Sequence, residues 1–587
     1  MKIKFQYTIA LFGALMATQA ASAQKKDEKI GTEVVNVVKP YTPTISDAFK
    51  VKETPVIEDE DNSQREEIEY NIFSFPVAST FTPAKGKAAN VERQKREKLF
   101  NNYATLGVGN YGTVNAELFV TENLNRNEYV GGMLRHLSSQ GGIDGVLHDD
   151  SYYNTSLDLT YGNRQRDFSW NADLGYQHRI YNWYGLPEMF DAESVSILNI
   201  DGQQTYHSFY VGGQVGAKDS FFKDATVQYK RFWDAYGSAE NRFFVTPSLD
   251  IDVLGEKIKV DFIADYVGGT FEEDYFQTNE ITYSHFNLGI QPSILYQTDD
   301  LSVQLGAGIF YSMGKMNNNS DNKFFVYPQV KASYKVVGDL MIAYAGAEGT
   351  LQQNSYADFV DENPFVSPNL YISPTDQQYD IYVGLKGKLA STVAYNIRGS
   401  YMNEDNRAFF LNNPVSYLVT DVATDNGYAY GNSFGLAYDR LQTISFFGEL
   451  KADFSKNVRF GVNGSYFNYS TDLEEAFNLP ELKVGASLDV DITEKWYAGT
   501  NVFFVGERKD LVRFQDGSGG FPPPSSLEVV TLDSFFDINA HLGYRYSERL
   551  TGFLRLNNIA NQNYQRWVNY QVQGFQFLVG ASYKFDF

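Results

Sequence analysis

The chain ends in QVQGFQFLVGASYKFDF, Gln571 to Phe587. Taken two residues at a time, Phe575, Phe577, Val579, Ala581, Tyr583, Phe585 and Phe587 share one face. Gln576, Leu578, Gly580, Ser582, Lys584 and Asp586 share the other. Period-two alternation describes a strand that is greasy on one side and wet on the other. A soluble sandwich turns the greasy side to a core, whereas an outer-membrane barrel turns it to lipid and its polar side to the lumen. The rest of the chain decides between them.

From about Asn102 onward one theme repeats: an alternating segment, a turn, another alternating segment. LKVGASLDVDI (482–492) puts Leu482, Val484, Ala486, Leu488, Val490 and Ile492 on one face. FFDINAHLGYRY (535–546) does the same with Phe536, Ile538, Ala540, Leu542, Tyr544 and Tyr546. Pro328, inside FVYPQVKASYKV, is an oddity, since proline cannot donate a ladder hydrogen bond. Short connections such as GNRQRD, VLGEK, QTDD, VVGD, LAST, FSKN, ITEK and SERL separate these segments. Between them lie longer ones: SMGKMNNNSDNK (312–323), NYSTDLEEAFNLPE (468–481) and VRFQDGSGGFPPPSSLE (512–528). Short turns on one side and long loops on the other are the pattern of an outer-membrane barrel, here of about 22 strands. Trp496 with Tyr497, and Tyr544 with Tyr546, suit its aromatic girdles.

Composition agrees. Aromatic residues make up 16% of the chain, with 42 Tyr, 45 Phe and 48 Gly. Mean hydropathy is −0.36, which a barrel also gives because half of each strand is polar. The formal charge of −23 argues against a nucleic-acid partner, whose phosphates demand a basic footprint. Cysteine is absent, so no disulfide or thiolate metal site exists.

The first residues, MKIKFQYTIALFGALMATQAASAQ, read as a signal peptide over 1–23. Lys2 and Lys4 precede a short apolar run, and Ala21-Ser22-Ala23 forms the cleavage pattern. Residues 24–100 read as an extended periplasmic or luminal segment. They are studded with Pro40, Pro43, Pro55, Pro76 and Pro83 and crossed by charge runs, with too little apolar periodicity for a folded plug domain. Val34, Val35, Val37 and Val38 form a β-prone patch able to dock on a partner by strand addition.

Few constellations suggest chemistry. Gly431 to Gly435, GNSFG, matches the G-x-S-x-G pattern but lacks the strand–turn–helix that a nucleophile elbow needs. Asn317 to Lys323 could offer oxygens to calcium but lacks the Gly and Glu of an EF-hand loop. His136, His148, His178, His207, His285 and His541 show no metal-ligand spacing. No catalytic residue, cofactor or metal is expected.

Two stretches carry a resemblance. LRLNNIANQNY (554–564) resembles the penultimate strand and loop of TonB-dependent receptors, with Asn558, Ile559, Ala560, Asn561 and Tyr564 on the family's pattern. The final strand, with Tyr583, Phe585 and Phe587, resembles the terminal signal read by the barrel assembly machinery. Together with GVGNYGTVNAELFV and the acidic loops, they look like plug-less receptor-type barrels of Bacteroidota. The expectation is an all-β transmembrane antiparallel barrel over 101–587, set in outer-membrane lipid with both termini periplasmic or luminal. Loss of a plug points to an accessory or scaffold subunit working with other outer-membrane or periplasmic subunits, in the assembly or export of surface proteins. The barrel resemblance points instead to a transport channel or TonB-linked uptake of a small solute.

Overall fold

The computed structural model describes residues 99–587, apart from 199, 254, 276–278, 416–425 and 516–524. The leader, the segment 24–98 and the Val34–Val38 patch lie outside those residues. The described chain forms one closed antiparallel sheet of 22 strands. Each strand pairs with its sequence neighbour in that sheet, and the last, Gln576–Phe585, pairs with the first, Asn102–Gly109. Closure matters physically because lipid offers no partner for a sheet edge, so every backbone group must be bonded within the protein.

The lipid and lumen faces follow the alternation. Val484, Leu488 and Leu542 are exposed on the outer face, beside Phe577, Val579 and Tyr583 of the closing strand. Leu578 and Ser582 face inward, where Ser582 accepts a hydrogen bond from Thr105 at 3.0 Å. Trp496 packs against Tyr544 on the outside, with ring centres 4.6 Å apart and planes tilted by 43°. Tyr497 departs from the girdle expectation. It points inward under the Arg545 guanidinium, 4.6 Å away, because neighbours in a strand take opposite faces.

The proline puzzle has a common answer. Pro328 pairs with Ala307 in one ladder but lies just outside the other, which starts at Gln329↔Glu348. Pro292 likewise falls in a gap between Ile290↔Ile309 and Ser293↔Gly306, and Pro247 between Val245↔Ala264 and Ser248↔Asp261. Each missing N–H therefore coincides with an interrupted ladder.

The eight short connections named from the sequence all lie at one end, together with the start of the first strand and the end of the last. Tight turns here use left-handed residues, Gly255 (φ 90°) and Gly338 (φ 48°) among them. At the other end one expectation is corrected and another gains detail. Residues 312–323 are no long loop: strands Leu301–Met316 and Asn319–Val337 run on to a tight turn at Asn317 (φ 52°). Within 512–528, Arg508–Gln515 pairs with Ser525–Leu532 as a separate hairpin. In the first case barrel strands run on past the apolar band, where outward residues become polar and the alternation that signals a strand disappears.

Register predicts a contrast in tolerance. Val484→Arg or Leu488→Arg should cost roughly 2–4 kcal/mol near the bilayer midplane, and Ser487→Arg should cost little. Urea titration of barrels refolded into vesicles measures this, and equal cost on both faces contradicts the register. Asn539, also inward, is a poorer control because its Oδ1 accepts a hydrogen bond from the Asn558 amide at 3.1 Å.

Candidate functional site

At the long-loop end the connections fold inward and pack on one another. Two short helices, α1 (Ala192–Leu198) and α2 (Tyr356–Glu362), lie in these loops. The connection carrying α2 lies against the inner wall: His285 Nε2 is 2.9 Å from the Ile372 carbonyl, and Asn287 donates to Gln353 at 2.6 Å. Tyr283, His285 and Asn287 occupy the face opposite Leu288, which is exposed to lipid.

A single wall residue organises this helix. Glu240, 2% exposed, accepts hydrogen bonds from the Tyr356 and Ala357 amides at 2.6 and 3.2 Å and from the Tyr283 hydroxyl at 2.6 Å. Those amides open α2 and have no partner within it, so a carboxylate there satisfies orphan donors and complements the helix dipole. Ser355 caps the same end by accepting from the Asp358 amide at 3.1 Å. Arg242 bridges Asp265 (2.7 Å) and Asp358 (2.9 Å), and Arg179 reaches Asp361 at 2.5 Å. Asp358 and Asp361 of α2 are thus held by arginines of the wall.

Around α2 the loops share an apolar core. Trp183, Tyr206, Phe232, Phe365, Phe434 and Tyr570 are among its fully or nearly fully buried members. Phe365 stacks on Tyr570 with ring centres 3.8 Å apart, and Trp183 donates to the Phe365 carbonyl at 3.2 Å. Asn432 ties the connection after Asn412 to the one after Asn182, donating to the Trp183 carbonyl at 2.8 Å. Gly427 has no room for a side chain: a Cβ there would lie 1.5 Å from the Asp201 carbonyl oxygen. The result is a cap made by the barrel's own loops.

Beside α2 lies a cavity of about 540 Å³, partly open. Its lining combines Arg179, Asp361, Asp537 and Arg566 with Tyr181 and Tyr564. That mixture of charged groups and ring faces can hold a polar ligand.

The receptor-like motif borders this cavity. Asn558 is buried with φ 45°, donates to the Gln562 and Gln573 carbonyls at 2.8 and 3.1 Å, and accepts from the Gln562 amide at 2.9 Å. Asn561 (φ 50°) accepts from the Phe575 amide at 2.7 Å. Ile559 and Ala560 are exposed at the turn. Tyr564 stacks flat on Phe535 at 3.7 Å, and burial pushes its hydroxyl up to about 12. Here the motif acts as a turn that fixes where the last loop enters the cap. At the chain end, Tyr583 stacks on Phe585 at 6.2 Å and Phe585 meets Phe587 edge-on at 5.6 Å.

Ser433 is buried. Its hydroxyl donates to the Tyr428 carbonyl at 2.7 Å and accepts from Asn413 at 2.9 Å, with no imidazole among its hydrogen-bond partners. It serves the cap. The Asn317–Lys323 oxygens lie in the Leu301–Val337 hairpin, where Asp321 pairs with Lys323 at 2.7 Å.

The hairpin Arg508–Gln515/Ser525–Leu532 adds Val512 and Leu532 to the core. Arg508 donates to the Arg566 and Gln565 carbonyls at 2.5 and 2.6 Å. Asp510 beside it is fully buried, and burial pushes its carboxyl up to about 7 despite a hydrogen bond from the Leu511 amide.

From the sequence, a barrel this wide must be filled by the amino segment, inward-folded loops or a partner, and the residues that form the cap are not picked out. Their signal was present as aromatic and apolar density inside stretches that should be wet: NWYGLPEMF (182–190), NPFVSPNLYISP (363–374) and QRWVNYQV (565–572).

No family model matches the sequence, and neither does any curated protein. Solved structures do. FpvA of Pseudomonas aeruginosa, solved with bound pyoverdines, aligns with a TM-score of 0.61 at 12% identity, covering 83% of this chain and 72% of that one. The siderophore receptor PirA of Acinetobacter baumannii gives 0.60 at 13%, covering 84% and 81%. The FrpB iron transporter of Neisseria meningitidis (F5-1 variant) gives 0.60 at 12%, covering 83% and 82%. The chain has the 22-strand barrel fold of TonB-dependent outer-membrane receptors.

Two predictions concern the cap. Glu240→Ala leaves two helix amides and the Tyr283 hydroxyl unpaired, at about 1–3 kcal/mol for each buried orphan. Hydrogen exchange over 353–374 should accelerate while the strand amides stay protected, and Glu240→Gln should fall between. For Asp510 the raised value means that folding favours the protonated form. Its stabilisation is full below the unfolded value near 3.8 and is lost as pH rises toward about 7. Hairpin exchange should therefore speed up over that range, and Asp510→Asn should flatten the dependence.

Proposed function

We propose that this chain is an outer-membrane transport barrel of the receptor type, kept shut on its long-loop side by its own loops and opened by movement of the cap. The observation carrying this reading is the inward connection with α2, held to the wall by Glu240, Arg242 and Arg179 beside a polar-lined cavity. Hydrogen bonds and ion pairs at a wall can be exchanged for water, as a gate requires. The siderophore receptor and iron transporter that share the fold support transport rather than catalysis. In this reading the short turns and the barrel's ends face the periplasm, the Val34–Val38 patch docks on a periplasmic partner, and Tyr583, Phe585 and Phe587 address the barrel to its assembly machinery.

A second reading has its own support. The apolar core of the cap is continuous and holds many buried rings, Trp183, Tyr356, Phe434 and Tyr570 among them, which suits a permanently closed accessory subunit or scaffold within an envelope complex for surface proteins.

One experiment separates them. Val366, in the connection after α2, and Phe434, the first residue of the barrel strand Phe434–Ser455, form a β-bridge that ties the cap to the wall, and the chain has no cysteine of its own. A Val366→Cys/Phe434→Cys protein should show intermittent openings in planar bilayers when reduced, lose them on oxidation and regain them with reductant. Closed traces in both states, with an envelope protein retained on purification, would establish the scaffold instead.

A further inference from the structure

The histidines are scattered along the sequence, yet the register brings two of them together. His178, on strand Phe168–Asn182, stands directly opposite His207 on strand Gln203–Ala217. Both rings lie on the outer face, in phase with exposed Tyr176 and Val211, and four residues from the long-loop end of their strands. Their centres are 4.9 Å apart with planes tilted by 35°.

We propose that His178 and His207 form a surface site for a divalent transition metal that favours imidazole, of the Zn²⁺, Cu²⁺ or Ni²⁺ kind. Directly opposed cross-strand side chains are the closest neighbours a sheet offers. Two imidazoles sharing a tetrahedral ion at ~2.0–2.1 Å have ring centres roughly 5 Å apart, which the observed spacing matches. His207 is oriented from behind: its Nδ1 is 2.8 Å from the Tyr176 hydroxyl, and its ring stacks on Trp233 at 5.1 Å with planes 13° apart. One ring nitrogen is thus engaged and Nε2 is left for the ion, the usual arrangement of a metal-binding histidine. Both residues are half-buried and lie close to the long-loop end of their strands, where water can complete the coordination. His136, on the same outer face, is a built-in contrast: Nδ1 is 2.8 Å from Thr155 Oγ1 and Nε2 is 3.1 Å from Ser138 Oγ, so both nitrogens are occupied.

The test uses full-length protein without a histidine tag, titrated with Zn²⁺, Cu²⁺ and Ni²⁺ by calorimetry in detergent. The wild type should bind one equivalent of at least one of these ions. His178→Gln or His207→Gln should weaken it tenfold or more, and the double variant should abolish it. His136→Gln should leave binding unchanged, and Tyr176→Phe should weaken it only slightly. Retained heat-modifiable mobility on gels checks that each barrel has folded, and any variant that fails is replaced by the corresponding Asn substitution. Failure of the wild type to bind any of the three ions, or equal binding by the double variant, overturns the proposal and leaves the pair as two rings in contact at the membrane interface.

Discussion

The Glu240 carboxylate at the first turn of α2 is the contact on which the closed end of this barrel depends. A helix inside a barrel has two needs that compete with water: its leading amides lack partners, and its acidic residues must be matched. The wall answers both. Glu240 accepts the amides, while Arg242 and Arg179 meet Asp358 and Asp361. With α2 placed, Tyr356 buries its ring against Phe232 and Phe271 and donates its hydroxyl to Asp234 at 2.8 Å. The aromatic core then extends through Phe365 and Tyr570 to the last loop of the chain. Charge sets the position, and apolar burial supplies the bulk of the holding energy.

The membrane imposes the second constraint. Lipid tolerates neither an unpaired edge nor a buried charge without a partner, so the wall must close and its charges must turn inward and pair. Arg398 and Asp380 do so at 2.6 Å, with the Tyr382 ring 4.0 Å from the guanidinium. Each such inward pair stiffens the wall locally. The cap rests on this ring of laddered strands, and it is joined to the wall by hydrogen bonds, ion pairs and aromatic packing.

The same register acts in opposite ways on the two sides of the wall. Inside, it gathers residues from distant strands into the cradle for α2. Outside, it aligns His178 with His207 beside Trp233, which no spacing along the chain foretells.

Much of the fold was legible in the sequence, because period-two alternation is a local property and the bilayer enforces it strand after strand. Val484, Leu488 and Leu542 face out and Leu578 faces in, as alternation requires, and the short turns and the count of about 22 strands follow from the same pattern. It failed where lipid ends: the extended hairpin at 312–323 and the side hairpin at 512–528 carry polar residues on both faces, and Tyr497 looked like girdle from its neighbour alone. The motif at Asn558–Tyr564 could be seen as a pattern, but that Asn558 clamps a turn beside a cavity is a matter of which carbonyls surround it. The cap belonged to the tertiary structure entirely. Whether an aromatic loop lies in water or folds into a barrel depends on what the opposite wall presents. Glu240, Arg242 and Arg179 acquire their roles only when the closed sheet brings them to face a helix more than a hundred residues later in the chain.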